Sequence, residues 1–170
     1  MIIRTAVLAD APELAAFGEK TFFDTFGHLY PEGDAAFFSA QRFNLDRTRE
    51  DIIEAGRFIQ VACADEQMVG FIDCGTLGLP IIRPTALSVE LYRLYVDVVA
   101  IGTGLAQELM ALALNWARAS GASSIYLGVY CDNTRAQAFY RKYGFEIIGS
   151  YQFRVGNTLD NERIMELKLD

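Results

Sequence analysis

A short run of small residues, placed between a predicted strand and a predicted helix, has the chemistry of an anion-binding site. In chain order the run is Ile101, Gly102, Thr103, Gly104, Leu105 and Ala106. Small residues let the backbone approach a ligand closely, and the first amides of a helix have no partner within it. Because the helix dipole also favours negative charge there, the sequence predicts a phosphate-bearing ligand at the start of the 104–119 helix.

Two familiar nucleotide-binding turns do not fit this run. A dinucleotide turn of the G-x-G-x-x-G kind needs a third glycine, and Gln107 stands at that position. A phosphate-binding loop of the ATPase kind ends in Gly-Lys-Ser or Gly-Lys-Thr, and no such ending follows Gly104. The phosphate ligand therefore belongs to another class.

The run resembles the CoA-pyrophosphate turn of the GNAT superfamily of N-acetyltransferases, whose pattern is Gln/Arg-x-x-Gly-x-Gly/Ala. Gly104 and Ala106 match the pattern, while Ile101 replaces the polar residue at its head. In that family the turn holds the pyrophosphate largely through backbone amides. The resemblance therefore implies acetyl-CoA as the cofactor, and the Ile101 side chain is expected to weaken its binding without abolishing it.

A second motif further along resembles the family signature Asn-x-x-Ala-x-x-Phe-Tyr-x-x-x-Gly-Phe. Every marked position is present, in Asn133, Ala136, Phe139, Tyr140, Gly144 and Phe145. In the family the Tyr140 position faces the sulfur and can donate to the leaving thiolate; the alternative is a core aromatic. Asn133 is a helix cap, since its side chain can accept from free amides, or a cofactor contact, or both.

The hydrophobic pattern predicts the strands and helices that must position these motifs. The predicted strands are 2–6, 57–64, 68–76, 86–97, 124–129, 146–155 and 163–169. The predicted helices are 10–26, 34–43, 47–55, 104–119 and a segment ending at Gly144, with a loop at 77–84 and turns at 65–67 and 156–160. The GNAT resemblance implies the same order. It implies an α+β class domain over residues 1–170, with a mostly antiparallel twisted sheet, helices on both faces, and parallel strands 4 and 5 splayed for CoA.

The resemblance also implies where the cofactor arm lies. In the family the fourth strand parts from the next parallel strand, and its backbone pairs with the cofactor as another strand would. By register this contact falls on Leu94, Tyr95 and Val96. The strand can therefore hold the cofactor arm and donate a hydrogen bond to the thioester carbonyl.

Glu90 is a candidate general base, because an amine must lose a proton when it is acetylated. It precedes Ile101 by eleven residues, the spacing of the glutamate base in the histone-acetylating branch of the superfamily. On an extended strand it shares a face with Tyr92 and Leu94. The alternative is a strand-end carboxylate that is solvated or paired with a cation such as Arg93.

The acceptor site is predicted around the loop that follows the first helix. Relatives line their acceptor cleft with this loop, which brings in Phe26, His28 and Tyr30; the alternative for His28 is an exposed loop residue. Tyr92 is a candidate for the cleft wall or for the core. Residues 21–30 and 153–165 resemble the PaiA-like polyamine acetyltransferase branch. A polyamine site needs carboxylates around an aromatic slot. The candidate acids are Asp24, Glu32, Asp34 and Glu90, and the alternative is that they form a solvated face.

The composition narrows the class of protein. The chain has 170 residues, of which 52% are hydrophobic, and this fits one domain with one core. Its net charge of −7 argues against nucleic-acid binding. It has no apolar run long enough for a membrane span. Three cysteines and one histidine without metal-ligand spacing predict reduced thiols, a cytoplasmic location and no metal site. Tyr151 and Phe153 look exposed in the C-terminal strands, which is compatible with a homodimer there; the alternative is ordinary core packing.

Three functions follow from these observations. The first is acetyl transfer from acetyl-CoA to a primary amine of a small molecule, such as a polyamine, by direct attack in a ternary complex. The second is acetylation of a protein N-terminus or lysine, which predicts an open groove rather than a closed acidic pocket. The third is a catalytically silent acyl-CoA-binding module, suggested by Ile101 and by Val98 and Val99, where relatives often carry proline and a polar residue.

Overall fold

The computed structural model describes residues 1–82, 84 and 86–169; Arg83, in the predicted 77–84 loop, Thr85 and Asp170 lie outside the described residues. The strands form one sheet in the order β1-β2-β3-β4-β5-β7-β6. They are β1 (Ile2–Thr5), β2 (Phe58–Ala64), β3 (Gln67–Thr76), β4 (Ser88–Val96), β5 (Ser124–Tyr130), β6 (Glu146–Val155) and β7 (Thr158–Lys168). All neighbours are antiparallel except the parallel pair β4 and β5. The predicted mixed sheet with parallel strands 4 and 5 is confirmed.

Five α-helices cover the two faces of the sheet. They are α1 (Ala11–Phe26), α2 (Glu32–Arg42), α3 (Leu45–Ile53), α4 (Leu105–Ala119) and α5 (Thr134–Arg141). Successive strand residues point to opposite faces, and on β3 Phe71 packs in a core cluster with α1 while Ile72 packs with α4. The sheet therefore has α1–α3 on one face and α4 and α5 on the other. None of the helices across 1–82, 84 and 86–169 has the length and apolarity to span a bilayer.

β4 and β5 separate soon after they begin. They pair only at Ser88 with Ser124, Val89 with Ile125 and Glu90 with Tyr126, although both strands are described in full. From Leu91 onward β4 is paired on its other side with β3 alone. Half of its backbone N–H and C=O groups there consequently point into a gap between the two strands. The predicted splay of strands 4 and 5 is confirmed.

A β-bulge in β4 changes which of its side chains share a face. Cys74 of β3 pairs with Leu91, but the next residue, Asp73, pairs with Arg93, so Tyr92 is an extra residue in β4. Beyond the bulge Leu94 joins Leu91 in the cluster packed against α4. The prediction that Glu90 and Leu94 share a face is wrong, because the bulge interrupts the alternation on which it was based.

The last strand is longer than its sequence predicts. β7 begins at Thr158 rather than at Arg163, and the connection from β6 is the short turn at Gly156 and Asn157. The polar residues after the turn read as loop, but pairing with β6 makes them a strand. Asp34 of α2 accepts hydrogen bonds from the Asn157 amide (2.9 Å) and the Thr158 hydroxyl (2.7 Å), which fixes this turn from outside the hairpin.

Candidate active site

A cleft of about 750 Å³ lies where β4 and β5 separate. Its walls come from α1, α2, β4, β5, α5 and the hairpin of β6 and β7. This is the size of site that encloses a small molecule. Among the residues predicted for the site, those that line this cleft are Phe26, Tyr30, Glu90, Tyr92, Leu94, Tyr95, Val96, Asn133 and Tyr140.

At one end of the cleft, the backbone of β4 faces the gap. Leu94, Tyr95 and Val96 pair with Ile72, Phe71 and Gly70 of β3 on one side and with nothing in β5 on the other. An extended ligand arm that enters the gap can pair with these residues as an additional strand. The structure thus brings the three predicted cofactor contacts to the edge at which such a contact is available.

The turn after β4 presents backbone amides to a smaller cavity, which shares Val96 with the cleft. Gly102 and Gly104 have φ angles of +83° and +94°, a conformation that side chains disfavour, and nothing lies within 4 Å of where a Cβ would be. The amides of Gly102, Gly104, Ala106 and Gln107 donate to no group in the described part of the chain. The side chain of Thr103 donates to the Ala100 carbonyl (2.7 Å), which orders the turn. This open cradle at the start of α4 fits the pyrophosphate of CoA.

Arg135 is a cationic residue at this cradle that sequence reasoning missed. A second cavity of about 150 Å³ is lined by Gly102, Gly104, Leu105, Ala106 and Ile101 from the turn and by Arg135 and Phe139 from α5. A guanidinium beside free amides strengthens phosphate binding. Ile101 is 45% exposed and its apolar side chain can offer no hydrogen bond to a ligand, so Arg135 is the cation that this cavity offers among its lining residues. Its place inside the second motif was the signal that could have identified it.

Asn133 is a helix cap in the structure. Its side-chain oxygen accepts from the Ala136 amide (3.1 Å) and so satisfies one of the free donors of α5. The residue also lines the cleft, where its side-chain amide remains available to a ligand. The cap was one of the two roles predicted for it, and a cofactor contact stays a prediction.

Tyr140 projects from α5 into the core, with its hydroxyl at the cleft. The ring packs against Phe139 and Phe145, with ring centroids 5.6 and 5.7 Å away. The Tyr140 hydroxyl has no hydrogen-bond partner in the described part of the chain. Every side-chain oxygen and nitrogen there that is fully buried does have one. The hydroxyl must therefore reach the surface of the cleft. Burial raises its pKa well above the usual range, so the group remains a proton donor.

Glu90 lies at the point where β4 and β5 diverge. One oxygen of its carboxylate accepts from the amides of Gly78 (2.8 Å) and Leu79 (3.1 Å), which fixes the side chain. Burial raises its pKa, and those two amide hydrogen bonds and the charge of Arg57 oppose the rise. A positioned carboxylate with a raised pKa suits a general base at neutral pH.

Glu162 is a second buried carboxylate on the cleft that sequence reasoning missed. It lies on β7 and accepts from the Tyr151 hydroxyl (2.6 Å). Burial raises its pKa, and the hydrogen bond from Tyr151 opposes the rise. No local pattern in the sequence predicts its place in the site, because it follows the polar segment 156–160, which is predicted as a turn.

An ion-pair network under the cleft was also missed. Asp73 is fully buried and receives a two-point contact from Arg57 (2.6 and 2.9 Å) and a second from Arg93 (3.1 and 2.5 Å). Asp51, also buried, receives Arg42 at 2.9 Å. Tyr92 joins this group, since the Arg57 guanidinium lies 4.3 Å from the centre of its ring and its hydroxyl donates to the Thr76 carbonyl. Tyr92 therefore lines the wall of the cleft, which is one of the positions predicted for it, and it also supports the ion-pair network.

The loop after α1 contributes only part of what was predicted. Phe26 and Tyr30 line the cleft, Tyr30 stacks on Phe22 with centroids 6.0 Å apart, and its hydroxyl donates to Asp160. His28 is exposed in a short 3₁₀ turn and is not among the lining residues. The structure does not bring its imidazole to the cleft.

The predicted acids are mostly elsewhere. Asp24 pairs with Lys20 (2.8 Å) on the outer side of α1, Glu32 is exposed, and Asp34 holds the β6–β7 turn. Tyr151 and Phe153, predicted as exposed, are half-buried and line the cleft instead. Of the four predicted acids, only Glu90 reaches the cleft.

Comparison with known proteins gives one consistent result. Residues 21–145 match the profile of a family described as the acetyltransferase (GNAT) family. An uncharacterized N-acetyltransferase of Mycobacterium tuberculosis is 36% identical over 165 residues, which covers 95% of this chain and 99% of the relative. An uncharacterized N-acetyltransferase of Lactobacillus delbrueckii subsp. lactis is 26% identical over 162 residues, covering 94% and 92%.

Two solved structures are similar over almost their whole length. The PaiA N-acetyltransferase of Thermoplasma acidophilum in complex with coenzyme A has a TM-score of 0.78 at 21% identity, with 98% of each chain covered. The ribosomal-protein-alanine N-acetyltransferase of Brucella melitensis has a TM-score of 0.69 at 25% identity, covering 99% of this chain and 100% of that one.

Proposed function

The chain belongs to the GNAT family of acetyltransferases, with acetyl-CoA as its cofactor, and from this premise we propose that it acetylates a primary amine of a small molecule. The reaction is a direct attack of the amine in a ternary complex. The three cysteines are free thiols, which suits the cytoplasm as the place where it acts. The observation that carries the proposal is the continuity of the cleft, which joins the gap between β4 and β5 to Glu90 and Tyr140.

The proposed roles follow from the position and the protonation state of each group. When bound, acetyl-CoA supplies the acetyl group on its thioester. The backbone of Leu94 to Val96 and the amides of Gly102 and Gly104 hold and orient it. Glu90 takes the proton that the amine loses as its nitrogen bonds to the acetyl carbon. Tyr140 donates to the sulfur as the carbon–sulfur bond breaks, because its raised pKa keeps the hydroxyl protonated.

A protein N-terminus is the second candidate acceptor. The Brucella melitensis neighbour is named for acetylation of a ribosomal-protein alanine, and the whole of that chain is covered at 25% identity. A protein acceptor needs an open groove on the acceptor side. Here α2 and the β6–β7 hairpin both contribute to the walls of the cleft, which favours the small molecule.

Polyamines are one class of small amine to be tested. The Thermoplasma acidophilum neighbour named PaiA supports them only through a shared fold. Their recognition calls for several carboxylates on the cleft. Among residues 1–82, 84 and 86–169, the acids that line it are Glu54, Glu90 and Glu162, beside five arginines, so the charge of the lining gives polyamines little support.

The test of the proposal is a thiol-release assay with acetyl-CoA and a panel of amines: spermidine, spermine, amino acids, aminoglycosides and short peptides. We expect turnover with one class of small amine, and CoA alone should raise the melting temperature, since a ligand that binds only the folded state stabilises it. Stabilisation by CoA without turnover on any amine would favour the silent acyl-CoA-binding module. Turnover on peptides alone would favour the protein acceptor.

A homodimer formed through the C-terminal strands stays a prediction. β6 is an edge of the sheet, and Ile147 and Ile148 on it are 41% and 48% exposed. An exposed edge strand can pair with a second copy. Sedimentation equilibrium, with Ile148→Lys as the variant that should dissociate a dimer, tests it.

A further inference from the structure

The acceptor end of the cleft has a basic wall. In the described part of the chain, five arginines line the cleft, against three glutamates. Three of them, Arg42, Arg57 and Arg93, belong to the network around the buried Asp51 and Asp73, and their side chains are 23%, 6% and 12% exposed. Side chains that are largely desolvated yet open to a cavity are well placed to bind a ligand of opposite charge.

Two of these arginines retain unused donors. Arg42 donates through Nη1 to Asp51, while its Nη2 is 3.8 Å from Asp73, too far for a hydrogen bond. Arg93 donates through Nε and Nη2 to Asp73, and its Nη1 has no partner in the described part of the chain. Since every buried side-chain nitrogen there has a partner, these two nitrogens must be accessible. Arg42 and Arg93 both line the cleft, so the free N–H groups face it.

The network is also short of negative charge. In the described part of the chain, four guanidinium groups, those of Arg42, Arg47, Arg57 and Arg93, share three carboxylates, the buried Asp51 and Asp73 and the exposed Glu54. Burial and the charge of Arg93 lower the pKa of Arg42 to about 10, although Asp51 and Asp73 oppose that shift. An anion placed between Arg42 and Arg93 would supply the missing charge and accept the unused donors.

We propose that the acceptor is a primary amine that also carries a carboxylate, and that Arg42 and Arg93 bind this carboxylate through Nη2 and Nη1. A carboxylate has two oxygens in one plane, which match N–H groups offered by guanidinium forks. The inference rests on the proposed function, because the amine is the group acetylated at the same cleft. It places amino acids above polyamines as substrates.

The spacing along β4 sets the size of the acceptor. Glu90 pairs with Gly75 and Arg93 with Asp73, two residues apart on β3, because the bulge at Tyr92 absorbs one residue of β4. At about 3.3 Å per residue of strand, the backbones of Glu90 and Arg93 are about 7 Å apart. Both side chains reach into the cleft. The amine and the carboxylate of one amino-acid-sized molecule can therefore reach Glu90 and the arginines together.

The test compares matched acceptors on the wild-type enzyme. Amino acids, ornithine and γ-aminobutyrate are each assayed beside the carboxamide of the same skeleton, and ornithine also beside putrescine, which lacks the carboxylate. Rates are expressed per unprotonated amine, because amidation changes the basicity of the amine. We expect kcat/KM at least about tenfold higher for the carboxylate of the best pair, since a site built for a polar group rejects the analogue without it.

The variant Arg42→Gln should bring that ratio close to one and leave the KM for acetyl-CoA within about twofold, whereas Arg42→Lys should retain part of the preference. Arg49→Gln is the matched control, since Arg49 lies on α3 outside the cleft lining and is 52% exposed; its ratio should equal that of the wild type. A purely structural role for Arg42 would change stability and all acceptors alike.

The outcomes separate this inference from the proposed function. Equal or better turnover of carboxamides or polyamines would overturn the inference and leave the acetyltransferase intact. Absence of turnover with every amine, together with no stabilisation by CoA, would overturn both. The wild-type ratio decides the matter even where Arg42→Gln fails to fold.

Discussion

The cofactor end and the acceptor end of the cleft differ in the chemical groups that form them. The cofactor end is made of backbone: the unpaired edge at Leu94 to Val96 and the amides at Gly102 and Gly104. The acceptor end is made of charged side chains drawn from several elements, such as Arg42 of α2 and Arg93 of β4. A contact made by the backbone of Leu94 to Val96 does not depend on which side chains stand there, whereas an ion network depends on each of its charged side chains. The donor site can therefore stay fixed while substitutions at the other end change the acceptor.

The largest expected effect breaks the acceptor end. Asp73→Asn keeps the shape of a fully buried side chain but removes the charge that holds Arg57 and Arg93. We expect a loss of about 3–5 kcal/mol in the free energy of unfolding, because uncompensated charges are left buried. Urea unfolding measures it. Asp46→Asn is the control, since that carboxylate is 89% exposed and should change stability far less. An unchanged midpoint for Asp73→Asn would mean that the network does not support the wall.

The next effect tests the chemistry between the two ends. Tyr140→Phe removes only the hydroxyl that opens to the cleft, so kcat should fall about 100-fold, within the range of a lost proton donor. The KM for acetyl-CoA should change little, because the ring and its packing remain. Tyr143→Phe removes a hydroxyl from the residue that follows α5 closely and is the matched control. Full activity in Tyr140→Phe would assign the sulfur-facing role to another donor.

Glu90→Gln should lower kcat/KM by about 10- to 100-fold and remove the acidic limb of its pH profile. The base works when ionised, and burial raises its pKa above the ordinary value of 4.5, so wild-type kcat/KM should rise with pH through a pKa above that value. Glu162→Gln should retain the limb. If instead the limb disappears in Glu162→Gln and persists in Glu90→Gln, Glu162 is the base.

The smallest effect sharpens the cofactor end. Gly104→Ala puts a Cβ into open space at φ +94°, at a strain of about 1–2 kcal/mol, and in the place that the pyrophosphate would approach. We expect the KM for acetyl-CoA to rise about tenfold, with kcat nearly unchanged. Gly33→Ala is the control, since Gly33 lies within α2 with equally open space and an ordinary φ. Equal KM values in the two variants would remove the Gly104 cradle from cofactor binding.

The contrast also explains what the sequence could predict. The turn at Gly102 and Gly104, the cap at Asn133 and the order of strands and helices along the chain follow from local patterns. Capping and helix initiation depend on near neighbours in the sequence. The splay of β4 and β5 followed from the family resemblance and is confirmed.

The acceptor end could not be predicted in the same way. Arg57 and Arg93 pair with Asp73 although they are sixteen and twenty residues away from it in the sequence. No local pattern around any of the three residues predicts these pairs. The bulge at Tyr92 changed the faces of β4, because it arises from the register with β3 rather than from the sequence of β4 alone. His28 is a candidate from sequence because it is the one imidazole of the chain, and the 3₁₀ turn leaves it exposed, which is the alternative that the sequence also offers.

The short connection between β4 and β5 has a mechanical consequence. Three residue pairs, ending at Glu90 and Tyr126, are all that join the sub-sheet β1–β4 to the sub-sheet β5–β7 through strand pairing. The main-chain link between the two sub-sheets is therefore short and lies beside the proposed base, while side chains from both sub-sheets pack in the core beneath α4. A cofactor arm that pairs with the free edge of β4 would add a second link and restrict the movement of Glu90 and the arginines relative to Tyr140. Loading the donor would thus rigidify the very geometry that the second substrate must find.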